Sequence, residues 1–191
     1  MKKTIRTSCY LGLSLLILGL LLALSPLGGR ESASAHSVRP AVATGVVRRR
    51  YPWGKVIVVS LSQQWLNAYQ NGRRVFSTAV LTGRSSLPTP LGTYHIFAKM
   101  SPVIFRSPFA RNSPNYYPPT HINYAMEWRA GGYFLHDSWW HTVYGAGTNG
   151  EHYDPTYGWQ EGSHGCVSMP ISAAAWLYHW SRLGTTVKIV P

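Results

Sequence analysis

Ser163-His164-Gly165-Cys166 is a stretch whose residue types and spacing could make a nucleophile. The thiolate is the attacking form of cysteine, and a nearby hydrogen-bonding or cationic histidine raises its fraction. The glycine permits close backbone approach and unusual backbone angles. Such a turn can aim successive backbone N–H groups at one point, as an oxyanion requires. A His-Gly-Cys triplet alone is more often structural than catalytic, so its surroundings decide. Upstream, His136 closes the apolar run Tyr133-Phe134-Leu135 and is followed by Asp137. A histidine at a strand end can stand at the rim of a site and act as a base. It can equally be a core histidine bonded to backbone.

Metal chemistry is the competing use of these side chains. His136, His141, His152, Asp154, His164 and Cys166 crowd together in sequence, and zinc takes three or four such donors. The spacing lacks the glutamate of an HExxH helix, so neither a metal nor another cofactor is expected.

Positioning these residues falls to short strands and turns. The chain has 18 glycines, 13 prolines and 25 Phe, Trp and Tyr residues in 191, which excludes a coiled coil or a disordered chain. Residues 55–61 are β-branched and read as a buried strand. Strands at 65–70 and 73–81 flank Asn71-Gly72, a type I′ hairpin signal. A loop covers 82–92, a strand 93–100, and a Pro-rich loop 101–121. Strands at 122–129 and 133–136 lead into a second long loop, 137–163. Pro170 and Ser172 open the one convincing helix, which runs to Leu183 with Gly184 as its stop. Trp176, Trp180 and Leu183 share a face suited to packing on a sheet. A last strand spans 185–190. The expected fold is mainly β, a sandwich of mixed sheets with one late α-helix.

The N-terminus points outside the cytoplasm. Lys2, Lys3 and Arg6 precede an apolar run from Tyr10 to Leu24, followed by Ser25-Pro26 and the small residues Ala33-Ser34-Ala35. This is the layout of a secretory signal over residues 1–35, and the run is short for a membrane span of ~20 residues. A short membrane anchor is the alternative. Residues 36–54, with Arg48-Arg49-Arg50, read as a basic linker, and 55–191 as the functional domain. Cys9 lies in the signal, so Cys166 has no disulfide partner within the remaining chain, which makes it either an inert buried thiol or a nucleophile. Residues 36–191 keep 14 Lys and Arg against 5 Asp and Glu. Outside the cell such a charge suits anionic wall polymers or a lipid surface rather than nucleic acid.

From 55 to 190 the sequence resembles the L,D-transpeptidase catalytic domain, or YkuD, family. The resemblance is carried in order by Leu61-Ser62-Gln63-Gln64-Trp65-Leu66, Asn71-Gly72, Leu81-Thr82-Gly83, Thr89-Pro90-Leu91-Gly92-Thr93-Tyr94 and Tyr124-Ala125-Met126. Phe134-Leu135-His136, Ser163-His164-Gly165-Cys166 and Leu183-Gly184-Thr185-Thr186-Val187 complete it. It implies that Cys166 is the nucleophile and His136 its base. It implies an oxyanion pocket shaped by Ser163, His164, Gly165 and Cys166, and an oxygen that orients the histidine, for which the Asp137 carbonyl is the candidate. The Asp137 carboxylate is less suited, since neighbouring strand side chains point to opposite faces. Tyr94, Met126, Ser168 and Trp139 are the implied substrate contacts.

The implied reaction is acyl transfer on peptidoglycan stem peptides, with loss of D-Ala and a 3→3 cross-link. Water as acceptor would make the protein an L,D-carboxypeptidase. A zinc-dependent wall peptidase and a non-catalytic wall-binding module are the other readings.

Two features depart from the family pattern. Residues 137–162 separate His136 from Ser163, longer than usual by about ten, an insertion that loop-closure entropy tolerates. Glu151, Asp154 and Glu161 in this stretch suggest a lid that attracts an acceptor ammonium; the alternative is a solvated loop anchored by Trp139, Trp140, Tyr144 and Trp159. Ser168 stands where the family often has Arg or Asn, and a hydroxyl cannot anchor a carboxylate as Arg does. Arg84, Arg129 or Tyr94 would then take that role.

Overall fold

A computed structural model describes residues 53–191. The expected signal and linker therefore lie outside the described residues, apart from the linker's last two, Trp53 and Gly54. Two sheets share one apolar core. The first is built on β1 (Lys55–Ser60), β2 (Trp65–Gln70), β3 (Arg73–Ala79), β4 (Gly92–His95) and β13 (Thr186–Val190), in the order β3-β2-β1-β13-β4. The central pair β1/β13 is parallel and the rest antiparallel. Strand β1 is buried on both faces over Val56–Val59, as its unbroken β-branched run predicts. Asn71 and Gly72 have φ of 50° and 77°, the left-handed pair that a type I′ turn demands.

The second sheet holds β5 (Ala98–Met100), β8 (Ala125–Arg129), β9 (Tyr133–Asp137) and β12 (Val167–Met169), in the order β12-β9-β8-β5. Here β12 and β9 are parallel. Between the sheets, Ile57, Val59, Leu66, Ala68, Val187 and Ile189 meet Met126, Trp128, Leu135, Val167 and Met169 in one buried cluster. Helix α1 (Ile171–Trp180) adds Ala173, Ala174 and Leu177 to it and packs on β8 and β9. Trp176 stacks on Phe76 of β3 with ring centroids 4.2 Å apart. The fold is thus mainly β, with mixed sheets and, among the described residues, a single helix.

Several expected boundaries move. The strand expected over 93–100 is two strands in different sheets. The Ile96 N–H bonds to Thr185 O and the Phe97 N–H to Glu127 O, so the chain crosses between sheets at that dipeptide. The strand expected over 122–129 likewise divides. Its first residue ends β7 (Thr120–Ile122), which pairs with β6 (Val103–Phe105) as a hairpin inside the Pro-rich loop. The second long loop holds another hairpin, β10 (His152–Asp154) and β11 (Gly158–Gln160).

The helix stops at Trp180, three residues before Leu183. Its last carbonyls are taken by ammonium groups: Lys55 donates to Trp180 O, and Lys99 donates to Tyr178 O at 2.5 Å and Ser181 O at 2.8 Å. Cations at a helix C-terminus satisfy orphan acceptors and the helix dipole together. Leu183 is 61% exposed, so it is not on the packed face.

Candidate functional site

Parallel pairing of β9 and β12 sets the site. Ser168 lies opposite His136 in the register, with Val167 opposite Leu135. Side chains alternate along a strand, so Leu135, Val167 and Met169 face the core, while His136 and Ser168 share the other face with Cys166, two residues before Ser168. That face forms one wall of a cavity of about 570 Å³, whose lining includes His136, Cys166, Ser168, His164, Trp139 and Arg84.

The His136 Nδ1–H donates to the Asp137 carbonyl at 2.8 Å. The other ring nitrogen, Nε2, is then the one with a lone pair. The Ser168 hydroxyl stands 3.3 Å from it and donates to it. The Asp137 carboxylate turns away, accepting from Asn123 Nδ2 at 2.8 Å and Tyr124 N at 2.6 Å. Phe105 meets the imidazole edge-on at 5.2 Å, and Trp140 lies over it at 6.1 Å. Burial in this aromatic clamp lowers the His136 pKa, with the Asp137 carbonyl and carboxylate pulling the other way.

Cys166 is half-buried and its thiol donates to the Gly132 carbonyl at 3.3 Å. Burial pushes the thiol pKa up to about 11, against a hydrogen bond from the Phe134 backbone. Both directions favour the uncharged forms, a thiol at Cys166 and a neutral imidazole at His136.

The turn that carries Cys166 is braced from two sides. The Ser163 hydroxyl donates to Cys166 O at 2.6 Å and accepts the Gly165 N–H at 3.1 Å. Thr89 accepts the Gly83 N–H at 2.8 Å and donates to Gly165 O at 2.9 Å. Gly165 has φ of +110°, and a Cβ there would sit 2.8 Å from the Tyr133 ring, so conformation and space both require glycine. Because the Gly165 N–H is spent on Ser163, it does not serve as the expected oxyanion donor. The turn leaves the N–H groups of His164 and Cys166 as the candidates.

His164 faces the far side of the cavity. Arg84 Nη2 lies 3.1 Å from His164 Nε2 and donates to Asn115 Oδ1 at 2.8 Å, while Nη1 stands 3.4 Å from Glu161. Burial and then the Arg84 guanidinium lower the His164 pKa. This Arg84 hub, the Thr89 brace and the Ser168–His136 bond were not assigned from sequence. Each joins segments far apart in the chain, although Thr89 stands in the Thr-Pro-x-Gly string that carried the resemblance.

Two expected substrate contacts are corrected. Met126 is fully buried in the core. Tyr94 donates to Leu91 O at 2.8 Å and packs on Trp128 at 4.7 Å, outside the cavity lining. Arg129 lies over Tyr133 rather than in the cavity. Trp139, Ser168 and Arg84 do line it.

The acidic lid is also revised. Asp154 is fully buried and spent on its own loop, accepting from Thr142 N and Oγ1, both at 2.6 Å, and from Thr156 N at 2.9 Å. Burial alone would raise its pKa, but these bonds hold it well below the usual carboxylate range. Its oxygens are taken up within the loop, which leaves Glu151 and Glu161 as the exposed acids of this stretch. The zinc reading loses the same donor, and among the described residues no group of three or more His, Cys, Asp or Glu is placed to hold a metal.

The L,D-transpeptidase catalytic domain profile, YkuD, matches residues 54–189. The chain belongs to this family. L,D-transpeptidase 1 of Mycobacterium tuberculosis (strain ATCC 25618 / H37Rv) is 25% identical over 136 residues, 70% of this chain and 49% of that one. The chain thus spans about half the length of that relative. The catalytic domain of the Enterococcus faecium L,D-transpeptidase, solved by NMR, is 26% identical with a TM-score of 0.57, covering 73% of this chain and 98% of that one. An L,D-transpeptidase solved in complex with imipenem has a TM-score of 0.60 at 24% identity, covering 72% and 59%. Family members share the mainly β fold with mixed sheets described above.

Two outcomes test this geometry. Replacing Thr89 by Val strands the buried Gly83 N–H and Gly165 carbonyl, at a cost of about 1–3 kcal/mol per group. Chemical denaturation should show that loss, and thiol acylation should slow because the turn loosens. The raised Cys166 pKa means that the thiolate fraction is small at pH 7 and grows only as pH climbs towards about 11. Iodoacetamide alkylation of Cys166, followed by mass, should therefore keep rising above pH 9. A plateau below pH 8 would show a preformed thiolate–imidazolium pair instead.

Proposed function

We propose that this protein is a peptidoglycan L,D-transpeptidase that works through a thioester on Cys166. The observation that carries the reading is one cavity lined by both the Cys166 thiol and an imidazole, that of His136, whose tautomer leaves Nε2 as the acceptor. Family membership supplies the reaction class, and the signal-like sequence of residues 1–35 supports a site of work outside the cytoplasm.

The chemistry follows from the resting state. The thiol turns from the Gly132 carbonyl towards Nε2, and the Ser168 hydroxyl gives way. Nε2 takes the thiol proton as sulfur attacks the carbonyl of the third stem residue. The oxyanion forms against the N–H groups of the turn, of which His164 and Cys166 remain. Collapse breaks the amide, and His136 returns the proton to the leaving D-Ala amine. A side-chain amine of a second stem then attacks the thioester and loses its proton to His136. The 3→3 amide forms and the thiol is restored. No net oxidation occurs and no nucleotide is consumed. Arg84 is the guanidinium at the cavity wall, and a stem carboxylate would have to share it with Glu161, Asn115 and His164.

A neutral resting pair suits this order of events. In a site lined by Phe105, Trp139 and Trp140, a permanent ion pair would carry a desolvation cost. Proton transfer coupled to attack generates charge only when the oxyanion donors are there to receive it.

Intact-mass measurement tests the proposal. Wild type incubated with a carbapenem should gain one adduct per chain, and Cys166→Ala none. His136→Gln should slow acylation roughly 10²–10⁴-fold, the usual worth of a positioned base. With a disaccharide-tetrapeptide, D-Ala should be released and a cross-linked dimer appear. D-Ala release without dimer would identify a carboxypeptidase. Unchanged acylation in His136→Gln would remove that residue from its role.

A further inference from the structure

The β10–β11 hairpin is built inside out. Its register sets Tyr153 opposite Trp159 and Asp154 opposite Gly158. Asp154 lies on the buried face, while Tyr153 is 59% and Trp159 69% exposed. The two rings meet edge to face with centroids 5.7 Å apart. An ordinary surface hairpin turns its aromatics inward and its carboxylate outward. The segment of Trp139, itself 58% exposed, is tied to this hairpin, since its backbone carbonyl accepts the Tyr157 hydroxyl at 2.7 Å.

A cross-strand aromatic pair does stabilise a two-stranded hairpin. That accounts for contact between Tyr153 and Trp159, but not for the exposure of Trp139. Nor is the hairpin loose: Asp154 clasps Thr142, Thr156 and Tyr157, so the backbone that carries the rings is held in place before anything binds. Exposed aromatics on a fixed backbone beside a cavity mark a recognition surface.

Charge selects the ligand. From residue 130 to 162 the sequence contains no Lys or Arg, although the chain has 18. Glu151 and Glu161 are the exposed charges of the hairpin region. An anionic lipid surface or a polyanion would be repelled here. The platform runs into the cavity through Trp139, Gln160 and Glu161. A fitting ligand is neutral, has flat C–H faces for the negative faces of aromatic rings, and has a rim of hydroxyls and amides for Gln160 and Glu151.

We propose that Trp159, Tyr153 and Trp139 form a sugar-stacking subsite for a β-linked N-acetylhexosamine chain, which would hold the glycan that carries the stem peptide. This rests on the peptidoglycan reading above. It assigns the inserted loop to the sugar and leaves the cavity to the peptide.

The test separates the two ideas. The full chain with Cys166→Ala is titrated with the β-1,4-linked tetramer of N-acetylglucosamine, read by tryptophan fluorescence and calorimetry. Binding is expected, and Trp159→Ala or Tyr153→Ala should weaken it roughly tenfold or more, as loss of an aromatic anchor does. Trp159→Tyr, which keeps a ring, should retain most of it. In the otherwise wild-type chain, Trp159→Ala should raise KM for a disaccharide-tetrapeptide and leave KM for the sugar-free tetrapeptide unchanged. Equal effects on both substrates, or no tetramer binding, overturns the subsite. Binding to phosphatidylglycerol vesicles that these substitutions abolish would also overturn it, in favour of a lipid surface. Failure of the wild type to form a carbapenem adduct would sink the transpeptidase reading while leaving tetramer binding to be scored independently.

Discussion

The site depends on one pairing, the parallel register of β9 with β12. A slip of one residue in that register would send His136 or Ser168 to the core face and bring an apolar neighbour out. The register is secured from both ends. Leu81 exchanges two backbone hydrogen bonds with Ser168, at 2.9 and 2.8 Å, and the Ser138 N–H bonds to Met169 O at 3.1 Å. Beneath them Leu135, Val167 and Met169 are fully buried. The residues that fill the core therefore also aim the thiol and imidazole, because alternation along a strand ties the two faces together. Packing and chemistry cannot be varied separately here.

Electrostatics follow from that placement. The face that holds His136 is covered by Phe105 and Trp140, so both members of the pair are pushed towards their uncharged forms. Burial under these rings makes standing charge costly and transient charge strongly felt. The permanent charge is kept at the opposite wall, where Arg84 is shared by Glu161, Asn115 and His164. Burial and the Arg84 guanidinium favour the neutral form of His164, which bridges the Cys166 turn and the Pro-rich segment, with Tyr117 5.3 Å from its ring.

Local signals were legible in the sequence where a residue answers to its immediate neighbours. The β-branched run of β1, the Asn71-Gly72 turn and the Ser-His-Gly-Cys string belong to this class. So does the reading of the Asp137 carbonyl as the group beside the histidine, since strand alternation excludes the carboxylate. What escaped notice depends on distant partners. The period-two pattern continues unbroken through Ile96 and Phe97, yet the two residues bond to different sheets. Leu183 fits the helical stripe, but Lys55 and Lys99 close the helix three residues earlier. Met126 adjoins Ala125, which pairs with His136, but alternation turns the methionine to the core.

The same distinction explains the long insertion. Read as composition, its acids suggest an ammonium-binding lid. Folded, Asp154 fulfils a different need: a loop this long must satisfy its own backbone N–H groups, and one buried carboxylate answers Thr142, Val143, Thr156 and Tyr157. A carboxylate with that many donors is stabilised as an anion and has nothing left to offer a ligand. Its burial also fixes which side of β10 faces inward, and the two-residue period then forces Tyr153, and Trp159 opposite it, outward. The exposed aromatic face is thus the geometric consequence of the buried acid.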